Sequence, residues 1–433
     1  MQKNKLITIF LLMFVGVATF AQSTTNSPYS KYGVGILRPQ SFSRNMGMGG
    51  AGIGLRSNRD ITGLLNPASY SAISVVPFDV GYTNNALTLD DGTQTQYQNN
   101  SYISHLALAF PILKDTWGMS FGVLPYSNVG YKYDEVINDP VAGDLSFFSE
   151  GSGAINKAYL GNGFAMNLDS TSTVSFGANA YFLFGTINHD QKIIYGDLAN
   201  GYNVWNTTDI SFTDFGYDIG LQYQKSFTNT KDDKYNLIVG VTYGLASDLD
   251  GKRTTLTRSF TGNIDFGTVK DTVELIKDAD DFIQLPSSLG FGVSFEKERK
   301  WLVAIDYKTT NWGAITSNDP LFTYESNYSL AAGVQFVPKY DGSNYLQRIA
   351  YRFGTRFSNS YIAIQNTDWI ESGITFGLGL PVRRSGSSYP RLNFGFEYGT
   401  NGTTDGGLIK EKFFNFNVGI TINAQWFAKR RID

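Results

Sequence analysis

The sequence predicts an all-β protein: a 14-stranded antiparallel transmembrane β-barrel with an N-terminal plug inside its lumen. Three observations predict it. Bulky apolar residues alternate with small or polar ones along most of the chain, the alternating segments are long, and the links between them are short and long by turns. Alternation alone marks a half-buried strand of any kind. Ordinary strands average about five or six residues, whereas a tilted bilayer-crossing strand needs about 9–11.

The alternation is clearest in FGYDIGLQYQ, where Phe215, Tyr217, Ile219, Leu221 and Tyr223 share one face and Gly216, Asp218, Gly220, Gln222 and Gln224 the other. The same split recurs at Val174–Phe184, Leu289–Phe295, Leu392–Tyr398 and Phe414–Ile422. Strands are expected at about 74–83, 101–112, 116–133, 153–168, 172–188, 209–226, 235–257, 283–297, 300–312, 325–338, 345–357, 370–382, 389–400 and 410–427. Links after even-numbered strands are brief, as at Leu113–Asp115, Asp169–Thr171 and Glu298–Arg299. Links after odd-numbered strands are long, at 84–100, 134–152, 189–208 and 258–282. Short periplasmic turns and long outer loops, with an even strand count, are the pattern of a single-chain bacterial membrane barrel. Hydrocarbon offers no hydrogen bond to an exposed backbone, so such a sheet must close on itself.

The tryptophans add a fourth indication. Trp117, Trp301 and Trp426 fall at strand ends on the short-turn side; Trp205, Trp312 and Trp369 fall at or beyond strand ends on the other. Indole rings prefer the headgroup level, so two membrane belts are expected. Composition agrees. The chain has 433 residues, a net charge of −3, no cysteine and 17% charged residues. That excludes disulfide frameworks, thiolate metal sites and cysteine nucleophiles, and it gives no basic footprint for nucleic acid.

Three regions are expected: a signal peptide at 1–21, an N-terminal plug at 22–73 and the barrel at 74–433. The first carries Lys3 and Lys5 before the apolar run Leu6–Val17, with small Thr19 and Ala21 at the −3 and −1 positions. Export with cleavage near Ala21 places the mature chain in the outer membrane of a Gram-negative-type cell. The plug region does not alternate. It holds Met46–Gly54, rich in glycine, and Asn66-Pro67-Ala68. Gly47, Gly49 and Gly52 satisfy a dinucleotide-loop spacing, but no βαβ unit surrounds them, so close backbone packing is the better reading. Asn66-Pro67 signals either a helix start or a plain turn.

These residues reach a resemblance. Gly49-Gly50-Ala51-Gly52, Asn66-Pro67-Ala68, Trp117–Pro125, Leu285–Gly292 followed by Trp301 and Asp306, and Phe376–Pro381 occur in an order that resembles the FadL family. That family comprises outer-membrane transporters for long-chain fatty acids and other hydrophobic compounds. The resemblance runs from about residue 27 to the end and implies capture of ligand at outer loops, an apolar pocket, a plug that shifts, and sideways exit beside a kinked third strand. Here the third strand carries Pro125, Asn128 and Gly130 as candidate lateral-gate residues, since proline breaks a ladder hydrogen bond; a plain bulge is the alternative.

Candidate ligand-binding residues are Arg348, Arg352 and Arg356, placed on the lumen side of the eleventh strand, and His105. Three guanidiniums suit a carboxylate or phosphate headgroup, and a structural network with Asp218 and Glu397 is the competing reading. Apolar Val136, Ile137, Val141, Leu145, Phe147, Phe148, Ile193, Ile194 and Tyr195 in outer loops suit capture or a partner surface. Asp278, Asp280 and Asp281 make an acidic loop without EF-hand spacing. With only His105 and His189 as histidines, no catalytic triad is expected and the chain reads as a non-enzyme. The expected function is passive transport of hydrophobic or amphipathic small molecules, with outer-membrane lipid around the barrel and no cofactor, metal or nucleic acid. The alternative is a barrel that binds or shuttles exported protein, similar to a type IX secretion component.

Overall fold

The computed structural model describes residues 25–424, apart from 140–142, 197–200, 265, 318 and 383–389. The expected signal peptide with Ala21, together with Val141 and Trp426, lies outside the described residues.

Fourteen strands follow one another as antiparallel neighbours. They are β1 (Val76–Asp90), β2 (Thr95–Leu113), β3 (Trp117–Asp139), β4 (Gly143–Asn167), β5 (Ser172–Tyr195), β6 (Asn203–Thr228), β7 (Lys234–Gly244, resuming as Ser247–Thr261) and β8 (Thr268–Leu285, resuming as Ser288–Lys297). The circuit continues through β9 (Trp301–Thr310), β10 (Asn327–Phe336), β11 (Ala350–Asn359), β12 (Ile370–Pro381), β13 (Arg391–Asn401) and β14 (Lys410–Ala424). It closes where β14 pairs β1, from Lys410 opposite Asp90 to Ala424 opposite Val76. Closure gives both terminal strands a full ladder.

The barrel is inverted relative to a soluble protein. Phe176, Phe215, Leu221, Phe291, Ile305, Phe353, Ile374 and Phe414 are exposed outside, while Asn179, Gln222, Ser294, Thr375, Asn393 and Asn417 are buried inside. An apolar outer band over a polar interior is what a membrane-spanning barrel requires. No described helix is long and apolar enough to cross a membrane.

The expected long loops are largely strand. β3 and β4 stay paired up to Asp139 opposite Gly143, and β5 and β6 up to Ile193 opposite Val204. The outer part of β7 pairs both β6 and the outer part of β8, building an arm beyond the band. Alternation fades there because water bathes both faces, yet the backbone ladder continues. Asp280 and Asp281 accordingly pair Lys252 and Arg253 across a strand pair, where a loop was expected.

The eleventh strand also begins later than expected. Tyr345–Arg348 is a short helix whose N-cap Asn344 accepts from the Leu346 amide at 3.0 Å. Arg348 therefore sits exposed in the link before β11, outside the lumen.

Four of the five described tryptophans fall into two groups. Trp117, stacked on Phe164, and Trp301, edge-on to Phe295, lie at the short-turn ends of the outer face. Trp312 and Trp369 are buried, at 1% and 7% exposure, so the expected long-link belt is corrected. Each lies in a link that turns inward, where Trp312 packs on Tyr324 and Tyr361, and Trp369 on Tyr29. Trp205 lies beneath Arg258 and Lys192 and donates to Asp190, a charged setting unlike an apolar belt. Single-tryptophan variants in brominated-lipid vesicles should show strong quenching for Trp117 and Trp301 and little for Trp312 and Trp369. Equal quenching of all four would contradict this placement.

Candidate functional site: inner segment, wall seam and cavity

Residues 25–75 run inside the ring. A small-residue wall lets them do so. A Cβ at Gly177 would overlap Pro67, at Gly220 Asn66, at Gly240 Ile53, at Gly333 Met48, at Gly354 Gly49 and at Gly419 Ser43. Glycine on the lumen face permits backbone-to-backbone approach that any side chain would block. Gly49 and Gly50 have φ of 67° and 85°, a left-handed stretch in the turn that follows the short helix Ser43–Met46 and its right-handed C-cap Gly47.

Polar contacts fix the segment as well. The Asp306 carboxylate of β9 accepts from the amides of Gly52 at 2.5 Å and Ile53 at 2.7 Å. Asn66 caps the 3-10 helix Pro67–Ala72 by accepting from Ala68 N at 3.1 Å. Its amide nitrogen donates to Ile53 O and Leu221 O, and Gln222 also donates to Ile53 O. Asp60 joins Arg44 at 2.8 Å and Arg391 at 3.4 Å. Burial opposes its charge, but Arg391, Arg44 and Arg352 outweigh it and hold the carboxyl below the ordinary range.

The wall has a seam. β2 and β3 pair only from Leu106 opposite Val123 to Leu113 opposite Trp117. Beyond that point β2 pairs β1 alone, and the β3 ladder to β4 is bulged between Pro125 and Ser127. The free edge of β3 is taken by Ile36 and Leu37, opposite Asn128 and Ser127. Arg38 donates to Asn128 at 2.5 Å and lies 4.5 Å from the centre of the Tyr102 ring, touching both sides of the seam. Ser30 exchanges hydrogen bonds with Gly130, each 2.9 Å. Pro125, Asn128 and Gly130 are thus gathered at one discontinuity.

A cavity of about 430 Å³ lies between the inner segment and the long-link ends, reaching the seam at Leu37, Arg38, Tyr102 and Tyr126. Lys157 of β4 enters it with its ammonium 3.9 Å from the Tyr181 ring centre and 5.4 Å from that of Tyr126. Lys308 of β9 and Asp218 of β6 line it too. Neither lysine makes an ion pair among the described residues. Tyr361, over the cavity, has its hydroxyl pushed well above the ordinary value, mainly by burial.

The sequence-derived candidates are scattered. Arg356 lines the cavity but pairs Glu371 at 2.5 Å and Glu397. Arg352 is fully buried, donating to Gln335 and Asn393 at 2.9 and 3.0 Å. His105 lies against Asp79 at 2.6 Å and stacks on Phe42. Neither Arg352 nor His105 lines the cavity, and Arg348 is outside. Lys157, Lys308, Tyr126 and Tyr181 escaped the sequence reading. Their signal was available: each occupies a lumen-parity position, two of them as lysine.

The comparisons with known proteins bear on this geometry. A family model described as BamG matches residues 1–433. The chain belongs to the BamG family. Solved structures similar to this BamG-family chain include the Pseudomonas putida toluene transporter TodX, 16% identical, covering 90% of this chain and 99% of that one at a TM-score of 0.56. A Pseudomonas aeruginosa FadL homologue is 11% identical, covers 90% and 99%, and has a TM-score of 0.57. The CymD monoaromatic hydrocarbon channel is 13% identical, covers 90% and 98%, and has a TM-score of 0.56. The FadL-like fold read from the sequence is therefore shown, under a family model that carries a different name. No curated protein matches the sequence.

Two substitutions test how the inner segment is held. Asp306→Ala strands two buried amides and should cost about 1–3 kcal/mol. Gly177→Leu should cost a similar amount, about 1–3 kcal/mol, by overpacking, whereas Gly395→Ala, with 3.4 Å to its nearest neighbour, should be neutral. Protease cleavage within 25–75 should rise in the first two, with circular dichroism of the strands unchanged.

Proposed function

We propose that this chain is an outer-membrane channel that admits hydrophobic or amphipathic small molecules, residues 25–75 acting as its plug. Ligand enters the cavity from the long-link side and leaves sideways through the seam between β2 and β3. The observation that carries this is the wall discontinuity at Val123, occupied by Ile36–Leu37 and continuous with the cavity. The printed descriptions of the similar structures, a toluene transporter and a hydrocarbon channel, support the substrate class. Lys157 and Lys308, with tyrosine rings beside the first, favour an amphipathic carboxylate such as a long-chain fatty acid. Trp117 and Trp301 would mark the periplasmic headgroup level.

A second reading, a barrel that binds exported protein, is favoured by the outer arm. Phe266, Val273, Leu275 and Phe282 are exposed there at 83%, 66%, 48% and 60%.

One experiment separates the two. The chain has no cysteine, so Leu37→Cys with Ser127→Cys, paired positions that fasten the inner segment to the β3 edge of the seam, introduces a single switchable bond. Uptake of a fatty acid into cells or liposomes should fall on oxidation and return on reduction. Lys157→Leu should weaken fatty-acid uptake about tenfold while leaving toluene uptake intact. Unchanged uptake in the oxidised variant removes the lateral route and favours the protein-binding reading.

A further inference from the structure

Among the described residues, one link at the short-turn end of the barrel departs from the rule of that end. The links Lys114–Thr116 and Glu298–Lys300 are minimal, but Val337–Ile349 is a folded lobe. Lys339 N donates to Gln347 O at 2.8 Å, Gly342 N to Lys339 O at 3.1 Å, and Tyr351 OH to Leu346 O at 3.2 Å, so the lobe is held in one shape. It shows its apolar groups to solvent: Tyr340, Tyr345 and Leu346 are 37%, 42% and 60% exposed.

Cations surround these groups. Arg299 lies 5.4 Å from the Tyr340 ring centre and Arg348 5.4 Å from that of Tyr345. Arg59, from the inner segment, donates to Tyr340 OH at 3.0 Å. Lys339 is in the lobe, and Lys300 is bonded to it through Val337 N at 2.7 Å. Glu298 and Asp341 are the carboxylates on the same two links. A chain with a net charge of −3 thus gathers positive charge around the exposed tyrosines of the lobe, from the lobe itself, the neighbouring link, where Arg299 also meets Glu298 at 3.6 Å, and the inner segment. Exposed tyrosine and arginine on a pre-ordered lobe are what a protein-binding hot spot is built from. No ion pair of Arg348 is present among the described residues.

We propose that the Val337–Ile349 lobe, with Arg299 and Arg348, is a docking surface for an acidic segment of a periplasmic protein. Charge complementarity selects the partner's sign, and the tyrosines take its apolar side chains. A protein is favoured over lipid headgroups because Arg59 ties the lobe to the inner segment, which draws it toward the barrel mouth and away from the lipid-facing wall. Docking at Tyr340 touches the residue that Arg59 holds, so a partner here is mechanically adjacent to Asp60 and the inner segment. This surface stands whether or not the channel reading holds.

The test uses the full chain in phosphatidylcholine nanodiscs and a fluorescent twelve-residue peptide of alternating glutamate and leucine. Affinity should fall about tenfold in Arg299→Glu/Arg348→Glu and about tenfold in Tyr345→Ala, while Lys270→Glu, on the outer arm at the opposite end of the barrel, has no effect. Equal binding by wild type and the double variant overturns the proposal. A photo-crosslinker at position 346 gives the second readout in cells. Protein adducts lost in the double variant support the surface. Adducts to phospholipid alone, or peptide binding abolished when phosphatidylglycerol replaces phosphatidylcholine, assign it to lipid and overturn it.

Discussion

Backbone hydrogen bonding sets the terms for this molecule. A sheet with hydrocarbon on its outside cannot leave an edge unpaired, so β1 and β14 must meet, and they do along their whole length. Closure then dictates which face is which. Apolar side chains go outward, where a soluble protein would put charge, and the interior is left to small and polar residues. Where the ladder between β2 and β3 is interrupted, above Leu106 and Val123, another piece of the chain supplies the missing partner. The discontinuity is satisfied locally by Ile36 and Leu37, which is why it can exist in the wall.

The interior is filled by the same logic. Residues 25–75 are too few to bury a core of their own, yet Phe42, Met48, Ile53, Leu55, Ile61 and Tyr70 are all fully buried. Their burial comes from the barrel, and glycines in the wall let the two backbones approach. The charged groups of the lumen divide accordingly. Asp306, Asp60, Arg352, Arg356, Glu371 and Glu397 hold structure together, each already engaged. Lys157 and Lys308 share the cavity with Asp218 and make no ion pair among the described residues.

Much of this was legible in the residues. The period of two located all fourteen strands, because the alternation records which face meets lipid. The bulge in β3 was visible as Pro125 within an alternating segment. The misreadings share a cause. Arg348, Arg352 and Arg356 have the same parity in sequence, and parity says which face a residue takes within a strand. It does not say where the strand begins, and Asn344 starts a helix that removes Arg348 from the set. Nor does it say whether a buried arginine already has partners. Trp312 and Trp369 were misplaced for a related reason: indole at a strand end suits a headgroup layer, but a link that folds inward places the same ring in a core.

The sequence by itself determined the class of sheet, its strand number, its greasy outside and its glycine-lined inside, since all of these are properties of residues one or two positions apart. Tertiary structure alone decided which charges are spent on each other, which strand pair is left open and what fills it, and how far the ladders run beyond the apolar band. Those outcomes depend on contacts between positions as distant as Ser27 and Glu411. No local pattern encodes them, because the partner that satisfies a buried group is chosen by the closed geometry of the ring.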